Sequence, residues 1–254
     1  MTGTSYSPSP LPPPSTSTSI PLTLTPTISD SSTPSPLRIG VLLFPGFQAL
    51  DVFGPLDVLN VLSWSPTTTP PITLSLLSTT LSPISTLPPN FPHALSQSIL
   101  PTATLSSSPP LDVLIIPGGW GTRAPLPEYT EYIRTVYPTL KYLLTVCTGG
   151  KLAARAGVLD GKRATTNKSD WEGVVRDAPG VQWVKEARWV VDKSDVGGDG
   201  KGTEVWSSAG VSAGVDLMFA WVESIWGEEV AAGVERVLEF RRWREGDVDP
   251  FVRD

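Results

Sequence analysis

The sequence predicts an α/β sandwich built on a mainly parallel sheet, and three observations carry that expectation. Short, largely apolar runs recur from residue 38 onward. These runs are apolar at consecutive positions, which suits strands covered on both faces. Helical periods lie between and after the runs, and such alternation indicates a sandwich.

Residues 1–37 are Ser, Thr and Pro with scattered Leu and Ile, and Asp30 is their only charged side chain. Such a segment buries too little apolar surface to offset its ordering entropy, so a disordered tail is expected, followed by one domain over 38–254. "RIGVLLF" (38–44) reads as the first strand. A helix follows over 55–62, with Val58, Leu59 and Leu62 on one face and Pro55 in its first turn. "ITLSLLS" (72–78) is the next strand. Residues 79–110 are again rich in Pro, Ser and Thr, and read as an irregular connection with one short strand near 99–105. "LDVLIIPGG" (111–119) and "YLLTV" (142–146) are strands that end in small-residue turns. A helix opens after Cys147. "VQWVKEARWVVD" (181–192) and "TEVWSS" (203–208) read as late strands joined by a glycine-rich hairpin turn. Val211, Val215, Met218, Phe219, Val222, Ile225 and Trp226 then follow an amphipathic rhythm that Gly227 ends, and a last helix runs over 228–240.

Composition narrows the function. The 254 residues carry a formal net charge of −6 and are 40% apolar, enough for a sizeable core. The acidic balance and the lack of a Lys/Arg cluster argue against a nucleic-acid partner. No apolar run approaches the roughly 18 residues of a membrane span, and no signal peptide is recognisable. With one cysteine and one histidine, neither an intrachain disulfide nor a Cys/His zinc site can be assembled. A soluble, cytoplasmic, metal-free protein is expected.

The single cysteine sits in "YLLTVCTGGKLAARAG", at a strand-to-helix joint. At the carboxyl edge of a parallel sheet such a turn is where ligands meet backbone N–H groups. Cys147, followed by Thr148, Gly149 and Gly150, has the pattern of a nucleophile elbow with cysteine in place of serine. A helix N-terminus can lower a thiol pKa and so activate it, whereas a merely structural cysteine would be a small core hydrophobe. "IIPGGWG" places Gly118 and Gly119 at the same edge. Their N–H groups, with that of Thr148, are candidates for an oxyanion-type pocket, unless the glycines serve only their dihedrals. Asp51, after the first strand, is either a capping aspartate or a third member of the site. Asp57 is expected to serve the helix N-terminus. The run "DVGGDGKGT" is only superficially a phosphate loop. Asp216 is expected to make a structural hydrogen bond. The nine tryptophans, Trp226 first among them, are expected in the core, a pocket wall or an interface.

Together, "RIGVLLFPGFQALDVFGPLDVL", "LDVLIIPGGWG", "YLLTVCTGGKLAARAGVLDGKRATT" and "SSAGVSAGVDLMFAWVESIWGEEVA" resemble the ThiJ/PfpI superfamily. The resemblance covers everything but the tail. It implies a flavodoxin-like three-layer sandwich related to class I glutamine amidotransferases, with a cysteine nucleophile elbow. The isonitrile hydratase-like branch is the most similar, through Cys-Thr-Gly at 147–149 and Leu-Asp-x-x-Gly-Pro at 50–55. Protease-like and glyoxalase-like relatives usually carry a glutamate and a histidine where Asp51 and Thr148 stand here. The one histidine, His93, lies in the Pro-rich connection, away from the expected site. Asn167 stands where hydratases of that branch often have a histidine. The resemblance implies a lyase without cofactor that adds water to an isonitrile, with Cys147 and Asp51 catalytic and Gly118, Gly119, Thr148 and Gly149 binding the intermediate. A small electrophile is the expected partner and a homodimer the expected assembly. Thiol redox sensing and glyoxalase-type aldehyde detoxification are the alternatives.

Overall fold

The computed structural model describes residues 35–65 and 70–252. The expected tail lies outside them except for residues 35–37, and Leu37 opens the first strand. In chain order the elements are β1 (Leu37–Leu42), α1 (Ala49–Ser63), β2 (Ile72–Ser78), β3 (Ile84–Ser85), β4 (Ser98–Ile99), β5 (Ala103–Thr104) and β6 (Val113–Ile116). There follow α2 (Pro127–Val136), β7 (Tyr142–Thr145), α3 (Gly149–Arg155), β8 (Arg163–Ala164), α4 (Trp171–Asp177) and β9 (Gln182–Trp183). The chain ends in β10 (Trp189–Asp192), β11 (Glu204–Ser208), α5 (Val211–Trp226) and α6 (Glu228–Leu238).

Among the described residues the main sheet has seven strands in the order β10-β11-β7-β6-β1-β2-β5. Within that sheet only the β10–β11 pair is antiparallel. The mainly parallel α/β sandwich is as expected. Its cause is visible in β6 and β7: Val113, Leu114, Ile115, Ile116, Leu143 and Leu144 are all buried, as strands covered on both faces require. Helices α1, α5 and α6 pack on one another, and α2 packs on α3. Phe44, Phe47, Leu114, Ile115, Phe219 and Trp221 are among the largest fully buried side chains.

Three expectations need correction. Helix α1 starts at Ala49 rather than at Pro55, so the proline lies inside it. Pro55 lacks the N–H that would bond the Asp51 carbonyl, which costs about 3 kcal/mol in a helix interior. Burial of Val52, Val58, Leu59, Val61 and Leu62 offsets that cost. The run 181–192 is not one strand: β9 pairs with β8 outside the main sheet, while β10 joins the sheet edge. Between them the chain bends so that Ala187 and Arg188 are buried. Near 99–105 there are two strand fragments, one pairing with β3 and the other with β2. The expected hairpin does join β10 to β11, and Gly197 N–H donates to the Lys201 carbonyl within it at 2.8 Å. Past α6, the Gly246 carbonyl accepts the N–H groups of Arg188 (2.8 Å) and Trp189 (3.0 Å), so the last residues lie along β10.

Candidate active site

Cys147 lies in the turn between β7, which ends at Thr145, and α3, which opens at Gly149, with φ +57°, a left-handed conformation that a non-glycine residue adopts only under local constraint. That is the strained geometry of a nucleophile elbow. The Thr166 hydroxyl donates to the Cys147 carbonyl at 2.9 Å and helps hold the turn. The side chain is only 6% exposed. Burial, and after it the Asp51 charge, pushes the thiol up to about 12, against the Thr148 N–H, the Asn167 amide and the Thr148 hydroxyl. The expected lowering by the helix start is therefore outweighed. Helix α3 is only seven residues long and cannot compensate the loss of solvent.

Asp51 lies in the first turn of α1 with no exposed surface. Its Oδ2 accepts the Gly118 N–H at 2.8 Å. Burial raises its pKa to about 7, against the pull of Gly118 and of the Cys147 thiol. Oδ1 has no hydrogen-bond partner of full geometry, which leaves it free for a reacting group. Two acids raised by the same burial and facing each other titrate as a pair.

The glycine N–H groups are engaged rather than bare. Gly118 donates to Asp51, Gly119 donates to Thr148 Oγ1 at 3.0 Å, and Gly149 donates to the Val146 carbonyl at 2.8 Å. Thr148 Oγ1 also accepts from the Thr122 hydroxyl at 3.0 Å. Among the four residues expected to bind an intermediate, the Thr148 N–H is the donor directed at sulfur. Gly118 has no room for a side chain, because a Cβ would lie 2.5 Å from Thr148 N. Gly119 has φ +131°, which favours glycine.

Asn167 is the residue that sequence reasoning undervalued. Its Oδ1 accepts the Ser169 N–H at 2.7 Å and the Ser169 hydroxyl, which turns its NH₂ toward the Cys147 sulfur. The same side chain lines a cleft of about 730 Å³, together with Leu50, Trp171, Val211 and Phe251. The short polar run at 165–170 was the available signal; its proximity to Cys147 is a tertiary fact.

Other expected residues stay apart. His93 is exposed between β3 and β4, and no hydrogen bond joins it to the buried Cys147. Asp216 accepts from Arg188 Nε at 2.8 Å and from the Trp243 N–H, a structural role. Trp226 packs edge-on against buried Trp221. Among the described residues, no three His, Cys, Asp or Glu side chains gather as metal ligands, and no helix is long and apolar enough to cross a membrane.

Residues 37–224 match the DJ-1/PfpI family. An isonitrile hydratase of Pseudomonas putida is 31% identical over 207 residues, which is 80% of this chain and 78% of that protein. Among solved structures, a ThiJ/PfpI family protein from Pseudomonas syringae superposes with a TM-score of 0.66 at 24% identity, over 86% of this chain and 79% of its own. Schizosaccharomyces pombe DJ-1 superposes with a TM-score of 0.59 at 13% identity, over 81% of this chain and all of its own.

Proposed function

The chain belongs to the DJ-1/PfpI family, and from that premise we propose that it is a cysteine-dependent lyase that hydrates isonitriles to N-substituted formamides. The observation that carries this reading is the buried pair of Asp51, raised to about 7, and Cys147, with no histidine in contact. The relative from Pseudomonas putida is an isonitrile hydratase.

The reaction needs one acid that changes roles and one sulfur. In the singly protonated pair, sulfur bonds the terminal isonitrile carbon while the thiol proton passes through Asp51 to that same carbon. The product is a thioimidate, R–N=CH–S–Cys147, with Asp51 ionised. Asp51 then takes a proton from water as the water oxygen bonds the carbon and passes that proton to the nitrogen, which leaves R–NH–CH(OH)–S–Cys147 with Asp51 ionised again. Collapse breaks the C–S bond, returns a proton to sulfur and releases R–NH–CHO. Atoms balance with isonitrile and water alone, so the route calls on no cofactor. The Thr148 N–H and the Asn167 amide, both directed at sulfur, support the charge that develops there. Gly118 and Gly119 act by positioning Asp51 and Thr148.

Redox sensing calls for an accessible thiol, and Cys147 is only 6% exposed. Glyoxalase-type chemistry lacks its histidine. The test is formamide release from alkyl and aryl isonitriles by the purified protein beside Cys147→Ala. Turnover that vanishes in the variant is expected; turnover that persists in it, or none in either protein, overturns the reading. kcat/KM should rise through about pH 7, as the doubly protonated pair loses one proton.

A further inference from the structure

The cleft that Asn167 helps to line is far larger than the reacting group. Its volume is about 730 Å³, whereas an isonitrile head is a linear N≡C unit. Asn167 on the cleft wall also meets the Cys147 sulfur, and that thiol is only 6% exposed, so there is room for whatever hangs on nitrogen in the cleft and not around the sulfur. The cleft therefore reports on the substituent.

The apolar part of its wall comes from four different segments: Leu50 on α1, Trp171 opening α4, Val211 opening α5 and Phe251 near the chain end. Most of the charge around them is already matched. Lys168 Nζ donates to Thr165 Oγ1 at 2.9 Å and to the Ala187 carbonyl at 2.8 Å, and lies 3.6 Å from Asp249. Arg188 Nε donates to Asp216 at 2.8 Å, and Arg188 Nη1 lies 3.7 Å from Asp249. Two cations thus face two carboxylates. Lys185 and Glu172, one charge of each sign, complete the charged lining, and Asn167, Ser169 and Ser212 add neutral polar groups. Trp171 is a braced platform. Its ring meets Trp183 edge-on at 6.3 Å, Lys168 Nζ lies 5.2 Å from its centroid, and α4 is tied to α3 by Lys151 Nζ to Asp177 at 2.8 Å. A braced ring offers flat area with no rotamer freedom left to lose.

We infer that this cleft is the subsite for the N-substituent and that it selects a bulky, planar, apolar group, so that aryl and fused-aryl isonitriles are the substrate class, with Trp171 and Phe251 determining specificity. The inference rests on the hydratase reading for which end of the molecule meets Cys147. The subsite can be tested without turnover, by calorimetric titration of the purified protein with N-methylformamide, N-phenylformamide and N-(1-naphthyl)formamide. Affinity should climb along that series by at least about tenfold, as aromatic contact accumulates. Trp171→Ala and Phe251→Ala should each flatten the climb. Phe251 is 63% exposed, so its truncation leaves the core intact and keeps the test valid should Trp171→Ala fold poorly. Equal affinities along the series, or a climb untouched by Phe251→Ala and by any Trp171→Ala that folds, overturn the subsite. A climb that persists while no isonitrile is hydrated sinks the hydratase reading and leaves an aryl-selective subsite standing.

Discussion

At the residue scale, Asp51 is the position where stability and chemistry pull apart. Burial raises its pKa from 3.8 to about 7, so the folded protein keeps a proton that the unfolded chain has released across that window. Stability therefore falls as pH rises from 3.8 to about 7, and stays lowered above it. The side-chain amide of an Asp51→Asn variant still accepts the Gly118 N–H but carries no charge. The variant should exceed the wild type by a few kcal/mol at about pH 8, with the gap closing toward about pH 4. Urea titrations at both values check this, and equal gaps would contradict a buried charge at Asp51. The same substitution removes the second cause that raises the Cys147 pKa. Iodoacetamide labelling at about pH 9 should then quicken while isonitrile turnover is lost, since a lower thiol pKa leaves more thiolate. Slower labelling would mean that Asp51 activates the sulfur rather than restraining it. Cys147 and Asp51 were legible because each sits in a short motif at a strand-to-helix joint. The approach of Asn167 to sulfur and the dominance of burial over the helix start were not, because both depend on chain segments far apart in sequence.

At the element scale, the β7–α3 elbow holds Cys147 at φ +57°. A left-handed L-residue costs about 1–2 kcal/mol, whereas glycine adopts that region freely. Cys147→Gly should accordingly be at least as stable as Cys147→Ala, reversing the usual order in which glycine is the worse by about 0.5–1 kcal/mol. Thermal unfolding of the two variants decides it, and an alanine variant that is clearly the more stable would refute the strained elbow. Apolar runs reveal β1, β6 and β7 because consecutive burial leaves a mark in the sequence, whereas β2 is apolar in sequence although only Leu77 and Ser78 of it are buried. Helix α1 was misjudged for a physical reason: a proline reads as a helix start, yet five buried side chains carry α1 across Pro55. Helices α2 and α4 leave little mark in the sequence, as short elements with only three buried residues and one, respectively.

At the scale of the whole molecule, one ion cluster ties the start of β1 to the residue before β6. The Asp112 carboxylate accepts from Arg38 N at 3.0 Å and Nε at 2.8 Å, and Lys141 Nζ lies 3.2 Å away. Burial pushes Asp112 upward, but the Arg38 hydrogen bonds outweigh it and hold the pKa at about 2, below the ordinary 3.8. A lowered pKa contributes stability that is present above 3.8 and is lost as pH falls toward about 2. Asp112→Asn should cost about 1–2 kcal/mol at neutral pH, discounted for the solvent around Arg38, and close to nothing at about pH 2. Acid unfolding curves that overlay at every pH would contradict this. The last residues bear on the same scale. A sheet edge with open N–H and C=O groups is a template for strands of other molecules. Here one edge is β5, only two residues long, and at the other the Gly246 carbonyl takes the N–H groups at the head of β10. The segment that walls the cleft with Phe251 thus also acts as a guard against aggregation, and losing it would expose β10 to intermolecular pairing.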